Sequence, residues 1–277
     1  MVRIVTDSSV LYTREEAREN GFDVLPLCIN IGDLEDRDME VDMDKFYGKI
    51  AEGLHPKSSQ PPIGEVMELY ESYEGDEVIN IAMADGLSGT YQSAFGAKQM
   101  VENGDKITVF NSTTLCGPHR YMVEKAQKMK EAGCSASEIV EWLEYAATKH
   151  ESFLLPQDFD FLRRGGRLTP AVATFGSVLK LKPIMTQTPD GKQLDKFAIK
   201  RTLKSAFATI IEHWKKKGID GRHIIYVSHA RAPQDAEHAV KLLKEAFPET
   251  EIQVLALGAA FVTQGGPQCV ALQYIEK

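Results

Sequence analysis

The chain has 277 residues, 43% of them hydrophobic and 26% charged, with a formal net charge of −8. That is enough apolar material for one large or two ordinary globular domains, and two are expected. The acidic balance, without an extended basic stripe, argues against a protein that works by neutralising nucleic-acid phosphates, and no apolar run is long enough to span a bilayer.

The opening Met1-Val2-Arg3-Ile4 runs directly into a strand with no apolar leader, so a cytoplasmic protein is expected. Short β-branched runs then alternate with helical patterns. A strand at Arg3–Thr6 precedes a helix from Thr13, where Thr13 and Glu16 form a capping box and Gly21 supplies the left-handed terminator. A strand at Val24–Ile31, helices at Met43–Leu54 and Glu65–Tyr73, and a strand at Glu77–Met83 follow. Next come a helix at Ser88–Val101, a strand at Ile107–Phe110, and helices at Pro118–Lys130 and Ser135–His150. Strand-helix-strand order of this kind predicts a mostly parallel α/β sheet.

Farther along, the rhythm changes. In SVLKLKPIMTQTPDGKQLDKFAI two apolar runs are joined by Pro189-Asp190-Gly191, which predicts an antiparallel hairpin. A helix at Thr202–Lys217, a strand at His223–His229, a helix at Asp235–Phe247 and a strand at Glu251–Leu257 lead to a segment that turns at Gly265-Gly266-Pro267. The predicted fold class is therefore α/β in two domains: a mostly parallel N-terminal domain over 1–155 and a C-terminal α/β domain with antiparallel strands over 156–277. Cys28, Cys116, Cys134 and Cys269 are scattered with no CxxC pair, so they read as small apolar fillers, and neither a metal nor a cofactor is expected.

Four stretches invite chemistry. MADGLSGTYQSA leaves a strand and opens a helix, where unpaired N–H groups and the positive end of the helix dipole favour an anion. Gly86 and Gly89 allow close backbone approach, and Ser88 and Thr90 add hydroxyl donors; alternatively Ser88 is simply an N-cap. In KSSQPPIGE, Pro61 and Pro62 stiffen the backbone behind Ser58 and Ser59, which present hydroxyls to a ligand or cap a solvent loop. FLRRGGRLTP sets Arg163, Arg164 and Arg167 around a double glycine; a guanidinium there can fork onto a carboxylate, although for Arg163 and Arg164 pairing with surface carboxylates is favoured. Lys196, Lys200, Arg201 and Lys204 form a basic cluster that reads as a solvated face, and His229 as a structural histidine.

Several enzyme classes find no support. GLSGT is not the GxSxG elbow of hydrolases, and the spacing of Cys116 and His119 is uninformative without geometry. No Walker loop, GxGxxG or kinase signature is present, so any phosphate chemistry is brought by another protein.

VTDSS, SSQPPIGE, GLSGTYQSA, FDFLRRGGRL, LKLKPI and GGPQ occur in the order and spacing of the DegV family of bacterial fatty-acid-binding proteins, and the chain resembles that family over essentially its whole length. The resemblance implies a two-domain protein that encloses one long-chain fatty acid, with the acyl chain in a C-terminal tunnel and the carboxylate near the cleft between domains. It also implies a separate ATP-dependent fatty acid kinase as partner, feeding phospholipid synthesis. The protein itself would be a non-catalytic binding subunit, expected to be monomeric. By resemblance, Ser58, Ser59, Ser88, Gly89, Thr90, Arg167 and Gln264 bind the carboxylate, and Arg201 serves the phosphotransfer step or contacts the partner. Phe161, Leu162, Ile184, Phe261 and Val262 are candidate tunnel walls, each also readable as ordinary core. A passive lipid or carboxylate carrier without phosphotransfer is the alternative.

Two positions depart from the family pattern. Gln264 stands where the family has a histidine; it can hydrogen-bond a carboxylate but cannot become positively charged. Ala84 and Asp85 replace a pair of serines, and a carboxylate near an anionic head group is unfavourable, so Asp85 is expected to point away or to pair with a cation.

Overall fold

A computed structural model describes residues 1–173 and 181–277. The chain divides into two compact units, Met1–Thr148 and Lys149–Lys277.

In the first unit, β1 (Val2–Asp7), β2 (Asp23–Leu25), β6 (Glu77–Ala82) and β7 (Ile107–Asn111) form a parallel sheet in the order β2-β1-β6-β7. A second, antiparallel sheet holds β3 (Cys28–Ile31), β4 (Leu34–Arg37) and β5 (Lys57–Ser59) in the order β4-β3-β5. The single strand predicted over Val24–Ile31 is thus two strands in different sheets. Pro26 lies at the break, where a residue without an N–H ends the parallel ladder. Helices Ile63–Ser72 and Thr90–Lys98 bring Val66, Tyr70, Ala94 and Ala97 against Val5, Val78 and Ile107 of the parallel sheet. Helix Arg14–Glu19 carries the predicted capping box, and Gly21 beyond it has φ +83°.

The second unit is built on one six-stranded sheet, with β8 (His150–Leu155), β9 (Lys182–Gln187), β10 (Leu194–Lys200), β11 (His223–His229), β12 (Glu251–Ala256) and β13 (Val270–Glu276) in the order β10-β9-β8-β13-β11-β12. All neighbours are antiparallel except β11 and β12. The predicted hairpin is present as β9 and β10; residues 177–180 at the start of its first apolar run lie outside the described residues. β8 and β13 were not anticipated, and β8 corrects two expectations. The helix read through His150 ends at Ala146, and the units divide before β8 rather than at 155/156, because β8 pairs with β13 and β9.

Helices Leu203–Lys217 and Pro233–Ala246 pack Phe207, Ile210, Trp214 and Leu243 on Phe153, Ile184 and Leu272 to make the main core. A smaller cluster contains Leu162, Leu168, Val172 and Met185. Ile184 and Met185 are neighbours in β9, so their side chains leave opposite faces of the sheet, one into each cluster.

Candidate functional site

In the first unit the strand order reverses at β1 and β6, and in open α/β sheets the carboxyl ends of such strands form the ligand crevice. β1 ends in Asp7, whose carboxylate is buried. Its Oδ1 accepts from the Ser9 amide at 2.9 Å and its Oδ2 from the Met83 amide at 2.8 Å, which stitches the ends of β1 and β6 together. The Met83–Gly89 loop that follows carries the predicted hydroxyls. Ser88 Oγ and Thr90 Oγ1 are 2.7 Å apart, and the Thr90 amide donates to Ser88 Oγ at 3.3 Å. When the Thr90 hydroxyl is also the donor, the Ser88 proton is left for a ligand oxygen.

The helix begins at Thr90 with Gly89 as its cap, and no side chain caps it. Ser88 is therefore not the N-cap, although it accepts one first-turn N–H, and the helix starts two residues later than predicted from Ser88. A Cβ on Gly89 would lie 3.1 Å from Gln60 Oε1, so Ser58-Ser59-Gln60-Pro61 and Leu87-Ser88-Gly89-Thr90 adjoin. Ser58 and Ser59 do not act alike. In β5, Ser58 stands opposite buried Ile29 and Ser59 opposite Cys28, so their hydroxyls leave opposite faces. Beneath Thr90 lies a cavity of about 10 Å³, lined by Thr6, Asp7, Asn80, Thr90 and Ser93, the size of one water.

Behind this mouth sits His119, wholly buried. Its Nε2 lies 3.0 Å from the Ile81 carbonyl and 3.1 Å from Thr6 Oγ1, and its Nδ1 lies 2.7 Å from Ser9 Oγ. The Ile81 carbonyl can only accept, which assigns the proton to Nε2 and makes Nδ1 the acceptor of the Ser9 hydroxyl. Desolvation lowers the His119 pKa, with the Asp7 charge and the Ile81 carbonyl working in the other direction. The ring nitrogens are thus occupied by Ser9, Thr6 and Ile81, not by a Cys116 couple. Asp85 accepts from the Gln92 amide at 3.1 Å, so its partner is a neutral amide rather than a cation.

In the second unit, helix Phe159–Gly165 packs against helix Ala259–Gly265. Their glycines permit backbone approach: a Cβ on Gly165 would overlap Gln264 Oε1, and one on Gly265 would lie 2.7 Å from Cys269 Sγ. Gly166, at φ +72°, ends the first helix, and the Phe161 ring lies beside Gly266, at φ +78°. Arg167 donates to the Gly165 carbonyl, and Gln264 Oε1 occupies the space that a Cβ on Gly165 would fill. Gln264 Oε1 is buried and has no hydrogen-bond partner among the described residues.

The apolar candidates separate. Leu162 lies in the smaller cluster, Ile184 in the main core, Phe161 against Gly266, and Val262 is fully buried while Phe261 is half-buried. Arg163 pairs with Asp160 at 2.9 Å and Arg164 approaches it at 4.0 Å, as the surface reading anticipated. Arg201 is exposed beside Thr202, whose hydroxyl caps helix Leu203–Lys217. His229 Nδ1 accepts from the Ala232 amide at 3.2 Å and burial lowers its pKa, consistent with a structural histidine. Burial pushes the Cys269 thiol up to about 12, which makes it inert. Among the described residues no group of three or more His, Cys, Asp or Glu could hold a metal, and no helix is long and apolar enough to cross a membrane.

The VTDSS stretch by itself gives Asp7 and Ser9 no role. The signal was a carboxylate ending an apolar strand.

Comparison with known proteins gives a consistent result. The DegV family model matches residues 1–277. The protein DegV of Bacillus subtilis is 32% identical over 275 residues, covering 96% of this chain and 95% of that one. Among solved structures, that of DegV, a fatty acid binding protein from Bacillus subtilis, superposes with a TM-score of 0.86 at 30% identity, covering 100% of this chain and 99% of that chain. A structure describing fatty acid binding of a DegV family protein from Thermus thermophilus gives a TM-score of 0.89 at 26% identity, covering 100% of this chain and 99% of that chain.

Proposed function

The chain belongs to the DegV family, and from that membership we propose that it binds one long-chain fatty acid and presents the carboxyl group to a separate ATP-dependent kinase. The observation that carries the binding proposal is the meeting of the Ser58–Pro61 and Leu87–Thr90 segments at the carboxyl ends of β1 and β6.

The alkyl tail supplies affinity: about fourteen methylenes at about 0.8 kcal/mol each give a gross term of about 11 kcal/mol before association costs. A buried carboxylate must exchange its water for fixed donors. In the first unit, Ser88, Thr90 and one of Ser58 and Ser59 are offered for this, with the open N–H groups of helix Thr90–Lys98. In the second unit, Arg167 and Gln264 are the polar candidates, and Phe161, Leu162, Phe261 and Val262 the apolar ones. Ile184 is given to the main core.

Native mass spectrometry of delipidated protein re-exposed to palmitic acid tests the binding step. A retained fatty-acid mass supports it, and its absence refutes it. Adding the cognate kinase and ATP tests presentation. Acyl phosphate supports that role, whereas intact binding without acyl phosphate favours a passive carrier, the reading to which the neutral Gln264 lends weight.

A further inference from the structure

Gln264 is a buried acceptor with nothing to accept. Its Oε1 is held over the Cα of Gly165, where only a residue without a Cβ lets it sit, and no N–H or O–H among the described residues reaches it. A buried amide oxygen is costly to leave unpaired, and ordinarily a protein or ligand donor satisfies it. Arg167, which donates to the carbonyl of the same Gly165, carries N–H donors only.

A donor next to an acceptor is complementary to a head group that presents both, such as a primary amide or an un-ionised carboxylic acid. An ionised carboxylate, which only accepts, would set a negative oxygen against the Gln264 carbonyl unless the amide turned over. A glutamine amide can turn to offer its NH2 instead, so the same residue also serves the carboxylate. The hydroxyl candidates of the first unit, described above, are likewise neutral groups that both donate and accept.

We infer that Gln264 makes this protein a binder of neutral-headed long-chain lipids, primary fatty amides in particular, as well as of fatty acids. This rests on the lipid-binding reading proposed above and names the wider ligand class of that site.

The test uses the full chain, delipidated, with palmitic acid and hexadecanamide as probes and affinity measured by displacement of a fluorescent fatty acid. Hexadecanamide is expected to bind within about tenfold of palmitic acid, and Gln264→Glu, an acceptor without donors, to keep the amide while weakening the acid at least tenfold. Gln264→Met keeps the length but removes both polar atoms, and is expected to weaken the amide at least tenfold; circular dichroism checks that each variant is folded. An amide more than tenfold weaker than the acid in the unaltered protein overturns the inference. So does an amide-to-acid ratio that both variants leave unchanged. If neither probe binds the unaltered protein, the lipid-binding proposal falls, and this inference with it.

Discussion

Gly165 and Gly265 lie on packed helices, and alanine at each produces different consequences. At Gly265 the new methyl meets Cys269 Sγ at 2.7 Å, Cys269 Cβ at 3.3 Å and Leu154 Cδ1 at 3.5 Å. Cys269 is fully buried, so nothing there yields cheaply, and Gly265→Ala should cost about 1–3 kcal/mol through overpacking. At Gly165 the methyl meets only the far end of Gln264, a long side chain whose terminal oxygen has no hydrogen bond to lose. Gln264 swings away, and alanine returns up to about 1 kcal/mol of helix propensity, so the net change in stability should stay within about 1 kcal/mol. The displaced amide then no longer reads the ligand, and palmitate binding should weaken several-fold. Urea denaturation followed through Trp214 fluorescence, with the midpoint compared at constant slope, measures the first quantity, and ligand displacement the second. Equal midpoint shifts in the two variants, or a Gly165→Ala protein with unaltered binding, would refute the reasoning.

Asp7→Asn leaves an acceptor for only one of the two amides that Asp7 holds, so the Met83 or Ser9 N–H loses its partner, and urea denaturation should show a loss of about 1–3 kcal/mol. His119 supplies a pH dependence. Burial holds its native pKa below the ordinary histidine value of about 6.5, so the unfolded chain takes up the proton first, and the stability from the neutral ring is present above about pH 6.5 and lost as pH falls below it. His229 is shifted in the same direction, so unfolding free energies from pH 5 to 7.5 should be compared for His119→Gln and His229→Gln, with each variant flattening part of the slope. Ser88→Ala should weaken palmitate binding about tenfold, and of Ser58→Ala and Ser59→Ala only one should weaken it further, since their side chains leave opposite faces of β5; equal losses would contradict the strand register.

What the sequence made legible is what local chemistry decides. The Thr13–Glu16 box and the Pro189-Asp190-Gly191 hairpin turn are each settled within a few residues, and both formed as read. The run Val24–Ile31 misled because apolar alternation reports burial, not which sheet receives the strand; Pro26 was the only hint of a change of partner. β13 was hidden by Gln273, a polar residue in the middle of a central strand. It is buried there because its amide donates to Ser152 Oγ at 2.8 Å across the pair with β8, a partner that no sequence pattern points to.

The same division runs through the candidate site. Ser88 and the Ser58–Ser59 pair could be found because each hydroxyl stands within three residues of a glycine or proline, which shape the backbone that presents it. Asp7 could not, since a carboxylate at the end of a strand looks like a solvated turn residue until β6 is laid beside β1. Only the pairing of Val5 with Asn80 and Thr6 with Ile81 brings the Met83 amide to it. A residue that stitches two strand ends is then no more exposed than the core, and burying its charge costs little because two fixed N–H groups replace the water. The hydroxyls that meet a ligand can be read locally, whereas the groups that hold them in place are assembled by tertiary register, and substitutions at Asp7 and His119 should therefore show first in stability and at Ser88 first in binding.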